Sequence, residues 1–310
     1  MIEFKNYLNL LLFLSVIIKL NGQIAMANHF PTMKPFYVLD EKNLKDDIAF
    51  AYSLRLLTAE YNGPLIQLTK EEPVSSGTYI TKDFFAGDKG NIDTEAITTW
   101  ASTSAITVSI LYDQSGNNRN ATQTNEDRQP ALVISGTRTY WEGDGSNDIL
   151  IVDDTFNELI ENGRNGTILA FIYSTDDRDI AFGAEGPTGS DGNRDAWHGH
   201  TNYNNRAYFD PGYCCNSGGN RYYTNLPFIW SQYTFIRRDD PLDTSNDESI
   251  GRRNGSEELD GTIANARYLE ATDYPMGIGG VVRDNTASTS NRHTNNRFTE
   301  FIMYLSLIHI

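Results

Sequence analysis

The chain has 310 residues, 39% hydrophobic, 21% charged and 12% aromatic, which excludes a disordered segment, a coiled coil and a multi-span membrane protein. Lys and Arg number 25 against 41 Asp and Glu, a net charge of −16. A nucleic-acid backbone or an anionic membrane surface is repelled by such a chain, so nucleic acid is not an expected partner. The length suits either two ordinary domains or one large all-β domain.

In chain order, Lys5 precedes an apolar run from Leu8 to Leu20, interrupted at Asn9 and Lys19 and followed by Asn21-Gly22. This is the pattern of a secretory signal peptide over residues 1–22, with a second small-x-small cleavage pattern at Ala25-Met26-Ala27. A spanning helix needs about 20 apolar residues and tolerates Lys19 poorly, so no stable membrane span is expected and the protein is read as secreted or cell-surface. Residues 23–49 form an N-terminal extension, and residues 50–305 the folded body. Residues 306–310 (Ser306 to Ile310) have no turn, cap or polar end, and are read as a non-native or truncated end.

Within the body, Ile48 to Thr58 places Phe50, Leu54 and Leu57 at helical spacing, and Asp93 is a candidate N-cap for a helix reaching Thr99, with Glu95 in its first turn. Strand-length runs of β-branched and aromatic residues follow at Ile106–Leu111, Ala131–Ile134, Thr167–Tyr173, Phe228–Ile236, Met276–Val282 and Phe298–Leu305. Tyr233 and Phe235 alternate with Thr234 and Ile236, as a sheet packed on one face requires. No repeat, heptad or low-complexity linker appears. The pattern predicts one all-β antiparallel sandwich of two sheets with minor helices, most simply a jelly roll.

Several stretches resemble the α-L-arabinofuranosidase B catalytic domain and the related laminin-G-like modules: Ala51 to Leu57, Leu65 to Leu68, Ile92 to Ala96, Ala121-Thr122-Gln123, and above all Tyr112-Asp113-Gln114-Ser115-Gly116-Asn117. Gln129-Pro130 and Trp141 to Asp148 also match the laminin-G-like pattern. The resemblance covers residues 50–304 and implies a concanavalin A-like jelly roll that hydrolyses terminal arabinofuranosyl residues of polysaccharide, or a non-catalytic lectin-like module on the same fold. Read physically, Asp113 to Asn117 is first of all a self-satisfied turn, since Asp and Ser bond backbone N–H groups two residues on and Gly116 can take positive φ. Contact with sugar or Ca²⁺ is the alternative reading. Asp144 to Asp148 also reads as a turn.

The resemblance implies a vicinal disulfide between Cys214 and Cys215 lining the sugar pocket. Adjacent Cα atoms are about 3.8 Å apart, below the usual disulfide span, so the ring is strained, and two ordinary thiols are the alternative. Trp197, Tyr213, Asn216 and Asn254 join the two cysteines as candidate substrate contacts, aromatic faces stacking on sugar C–H groups and amides bonding hydroxyls. A retaining hydrolase needs two carboxyl groups about 5–5.5 Å apart. In the family a Glu precedes an Asn-rich hairpin. In this chain the matching hairpin is Gly251 to Ser256, with Arg253 before Asn254; the resemblance implies Glu257 or Glu258, a few residues displaced, as nucleophile and Asp284, three residues further beyond Gly279-Gly280 than the family pattern, as acid, while an acidic turn and a solvated loop charge are the alternative readings. No metal or other cofactor is expected: His198 and His200 are the only nearby nitrogen ligands, and the cysteine pair lacks a metal-knuckle spacer.

Overall fold

The computed structural model describes residues 37–41, 44–45, 47–136, 138–155, 159, 165–175, 180–188, 194–203, 207–211, 229–238, 248–262, 274–283, 286–287 and 292–305. The strands are β1 (Ile48–Ser53), β2 (Ile66–Glu71), β3 (Tyr79–Phe84), β4 (Ile106–Leu111), β5 (Ala121–Thr122), β6 (Ala131–Ser135), β7 (Arg138–Glu142), β8 (Leu150–Thr155), β9 (Gly166–Tyr173) and β10 (Phe182–Thr188). They continue with β11 (Arg194–His200), β12 (Tyr208–Pro211), β13 (Trp230–Arg238), β14 (Glu248–Arg253), β15 (Ser256–Thr262), β16 (Pro275–Ile278), β17 (Val282–Arg283), β18 (Thr286–Ala287) and β19 (Arg297–Tyr304). The α-helix α1 (Thr94–Ala101) starts where the sequence predicts, with the Asp93 carboxylate accepting from Ala96 N.

Pairing arranges the strands in two layers. The front layer runs β1-β19-β9-β13-β14-β15. The back layer runs β3-β2-β4-β5-β8-β16-β10-β11-β12. The β6–β7 hairpin joins them, β6 touching β4 and β7 touching β19. All these pairings are antiparallel, as expected of a sandwich, and among the described residues only β17 lies parallel to a neighbour, β10. Among the described residues no helix is long and apolar enough to cross a membrane.

Strand alternation fills the space between the layers. Tyr233 and Phe235 of β13 point inward as predicted, beside Ile168, Ala170 and Ile172 of β9 and Phe301 of β19. From the back layer Phe182 meets Phe235 and Phe301 edge-on at 5.3 and 5.4 Å, and Trp197 meets Phe209 at 5.0 Å. Each such fully buried apolar side chain contributes roughly 1.5–3 kcal/mol.

Two sequence expectations change. Ile48–Ser53 is a strand, not the start of a helix: all six residues are buried, because Phe50 and Tyr52 face the main core while Ile48 and Ala51 face a second cluster with Leu39, Leu57 and Ile302. A strand covered on both faces shows a continuous apolar run, which periodicity cannot tell from a helix. The expected strand Met276–Val282 is broken at Gly279 (φ +87°), where the chain jogs from antiparallel to parallel pairing with β10.

The Tyr112 to Asn117 motif proves to be a clamp on β1. The Asp113 carboxylate accepts from Ala51 N (2.9 Å), Ser115 N (2.9 Å), Ser115 Oγ (2.8 Å) and Arg119 N (3.1 Å). Buried Gln114 accepts from Leu57 N and donates to the Ser53 and Arg55 carbonyls, and Asn117 Nδ2 donates to Ile48 O. Gly116 takes φ +93°. Asp144 likewise caps its own turn, accepting from Ser146 N and Asn147 N.

Candidate functional site

The outer face of the back layer carries the main buried polar cluster. On β10, Phe182 and Ala184 go inward, so Gly183 and Glu185 go outward; on β11, Trp197 goes inward, so His198 and His200 go outward. Register sets Asp210 of β12 opposite His198, Tyr208 opposite His200, and Arg283 of β17 opposite Glu185. His198 Nε2 lies 2.9 Å from Asp210 Oδ2, and Nδ1 lies 3.2 Å from Glu185 Oε1. Glu185 also receives Arg283 Nε (2.9 Å) and Arg292 (2.5 Å). Gly183 makes room for the ring: a Cβ there would stand 2.3 Å from the Cβ of His198.

Although these groups face away from the core, Glu185, His198 and Asp210 are buried to 0, 0 and 4% exposure. Burial alone would lower the His198 pKa, but the Asp210 and Glu185 carboxylates outweigh it and raise it to about 9. Burial opposes ionisation of Glu185, and His198, Arg292 and Arg283 together hold its carboxyl well below the ordinary range. Aromatic rings flank the cluster: Tyr203, half-buried, packs edge-on against His200 at 5.4 Å and Tyr208 at 5.4 Å. Asn202 is 2% exposed, and neither amide atom has a partner among the described residues.

Chemically, this cluster is a cation-holding nest. With one imidazole bonded between them, Glu185 and Asp210 leave no gap for an anomeric carbon, so these two are not an acid–nucleophile couple of the glycosidase kind.

The predicted site residues fall in different places. Trp197 is a correction: grouped by sequence with the sugar-stacking aromatics, it is wholly buried against Phe209, Phe182 and Gly166, and packs the sandwich. Asn254 forms the β14–β15 hairpin turn with Gly255, at φ +52° and +79°, and its Oδ1 accepts from Gln232 N. Glu257 and Glu258 lie in β15 of the front layer, whereas the Gly279-Gly280 turn and β17 belong to the back layer, and no strand pairing joins β15 to β17. Tyr213, Cys214, Cys215, Asn216 and Asp284 lie outside the described residues, Asp284 directly following Arg283. Sequence reading missed Glu185, Asp210, Arg283 and Arg292. The available signal was the alternation Trp197-His198-Gly199-His200, with two histidines on one face of a strand.

A second concavity, of about 690 Å³, opens on the outer face of the front layer. Arg55, paired with Glu300 at 2.9 Å, Gln232, Phe171 and Arg138 line it. The Arg138 guanidinium stacks 4.7 Å from the Trp230 ring and 5.6 Å from Phe171.

The fold defines a class, the antiparallel β-sandwich proteins. No family model and no curated protein matches the sequence. Among solved structures the chain is similar to a mutant GH54 α-L-arabinofuranosidase soaked with 4-nitrophenyl α-L-arabinofuranoside (15% identity, 84% of this chain and 59% of that one, TM-score 0.59). It is also similar to a GH54 α-L-arabinofuranosidase soaked with a cyclic sulfate inhibitor (15% identity, 84% and 59%, TM-score 0.57). A third is an arabinofuranosidase complexed with arabinofuranosyl-α-1,2-xylobiose (16% identity, 83% and 58%, TM-score 0.56). The chain thus spans less than two thirds of the length of each. At these identities the likeness establishes a shared sandwich fold.

Proposed function

We propose that the protein is a secreted, carbohydrate-active hydrolase of the α-L-arabinofuranosidase kind, releasing terminal arabinofuranosyl residues from polysaccharide. The observation that supports this reading is the pairing of β17, which follows the Gly279-Gly280 turn and precedes Asp284 in the chain, with β10 beside the Glu185–His198–Asp210 cluster. The arabinofuranosidases of like fold support the substrate class. In this reading Asp284 donates a proton to the leaving oxygen and Glu257 or Glu258 attacks the anomeric carbon to give a covalent glycosyl-enzyme that water then hydrolyses, which requires the chain after β17 to carry Asp284 to within about 5–5.5 Å of the β15 carboxylate. In the same reading, as the family resemblance implies, Cys214-Cys215 and Asn216 contact the sugar together with Tyr213.

The test is release of chromophore from 4-nitrophenyl α-L-arabinofuranoside by purified protein, with Asp284→Asn, Glu257→Gln and Glu258→Gln compared singly. The Asp284 variant and one Glu variant should lose release; equal rates in all three would overturn these roles.

A second reading, a lectin-like module without turnover, is favoured by Arg253 at the expected nucleophile position and by the front-layer groove, where Phe171, Gln232 and Arg138 offer ring-stacking and hydroxyl-bonding groups. Arabinan retention without sugar release would establish it.

A further inference from the structure

We propose that His198, His200 and Asp210 bind one divalent transition-metal ion, of which Zn²⁺ is the representative, on the outer face of the back layer. The sequence offered only the two histidines as ligands; the fold supplies the third. His198 and His200 are two residues apart on β11 and therefore share a face, and the β11–β12 register places Asp210 directly opposite His198. One ligand atom from each residue lies within 4.8 Å of the others, and all three side chains are buried. Around a tetrahedral ion with bonds of about 2.0–2.2 Å, ligand atoms stand about 3.4 Å apart. The 2.9 Å contact between His198 Nε2 and Asp210 must therefore open slightly and the wider gaps close, movements within reach of side-chain torsions on a fixed sheet.

The surroundings fit a metal centre as well as the ligands do. Glu185 sits 3.2 Å from His198 Nδ1, the carboxylate that in metal sites holds the second ring nitrogen and turns the first toward the ion. Arg283 and Arg292 hold Glu185 in turn. Two imidazoles and one carboxylate favour zinc and its first-row neighbours over Ca²⁺ and Mg²⁺, which take oxygen ligands. Three protein ligands leave a coordination position for water or a sugar hydroxyl, as in catalytic rather than structural zinc sites. Asn202, two residues beyond His200 and buried to 2% exposure, adds an amide that no described protein group uses. This inference stands apart from hydrolysis, because a lectin could carry the same ion.

The experiment uses the full chain, stripped with a chelator, dialysed, and titrated with Zn²⁺ by calorimetry and with Co²⁺ by visible absorption. Wild type should take up one equivalent, with a Co²⁺ spectrum of nitrogen and oxygen ligation. His200→Ala and Asp210→Asn should each weaken affinity at least about 100-fold, and Glu185→Gln about 10–100-fold. A Cys214→Ser/Cys215→Ser double variant should bind as wild type does. Absence of uptake by wild type, a thiolate charge-transfer band, or unchanged affinity in both His200→Ala and Asp210→Asn would each overturn the site. The wild-type spectrum decides the matter even where a variant fails to fold. Arabinofuranoside release measured in parallel separates the two readings: release by a protein that takes up no metal removes this site alone, and uptake without release removes hydrolysis alone.

Discussion

Replacing Asp113 by Ala tests whether the Tyr112 to Asn117 motif is a fastening or a binding site. The substitution removes the acceptor of three backbone N–H groups and one hydroxyl, at 2.8 to 3.1 Å, around a residue only 5% exposed. A hydrogen bond to a charged group contributes about 1.5–3 kcal/mol, but water can reach some of these donors once the carboxylate is gone, so the total loss is about 4–6 kcal/mol. Domains of this size carry only about 5–15 kcal/mol of stability. At roughly 2–4 °C per kcal/mol, the melting temperature should fall by about 10–20 °C. Urea and thermal unfolding followed by circular dichroism measure this, and added Ca²⁺ should leave both wild type and variant where they are. An Asp113→Ala protein within about 1 kcal/mol of wild type that had nevertheless lost glycan binding would refute the reasoning, since the carboxylate would then serve a ligand and not β1.

Trp197→Ala leaves a hole between Phe182 and Phe209 and should cost about 3–5 kcal/mol in urea unfolding; a loss under 1 kcal/mol would mean the ring is not packed as described. Gly183→Ala combines a φ of +153° with a Cβ 2.3 Å from that of His198, so it should destabilise by about 2–4 kcal/mol and weaken Zn²⁺ uptake, while Gly255→Ala, with open space around it, should cost only about 1–2 kcal/mol and leave uptake unchanged. Burial, and then the Asp144 charge, raise the Asp148 pKa to about 7. The folded state therefore binds this proton more tightly than the unfolded chain does, and stability should decline from about pH 4 to pH 7 through this group. Asp148→Asn should flatten that slope and raise stability at pH 8 by about 1–2 kcal/mol; an unaltered pH profile would show that the carboxyl ionises freely.

What the sequence alone determined was local. Strand-length runs of β-branched and aromatic residues marked β4, β9, β13 and β19 to within a residue or two, because such side chains pack well on a pleated sheet and the runs are bounded by turn residues. Asp93 announced α1, Asn254-Gly255 announced a hairpin, and Asp113 to Asn117 announced a self-satisfied turn, since each feature draws its hydrogen bonds or φ values from residues close by. β1 escaped because one of its faces is buried in the main core and the other in the cluster of Leu39, Leu57, Leu169 and Ile302, both assembled from residues distant in the chain. The buried cluster was equally out of reach. Glu185, His198, Asp210, Arg283 and Arg292 come from three neighbouring strands, a parallel fourth and a later segment, and only the inter-strand registers convert a plain His-Gly-His alternation and scattered charges into one enclosed ionic nest. Sequence spacing encodes which face a side chain takes; which partner stands opposite is decided when the sheets pair.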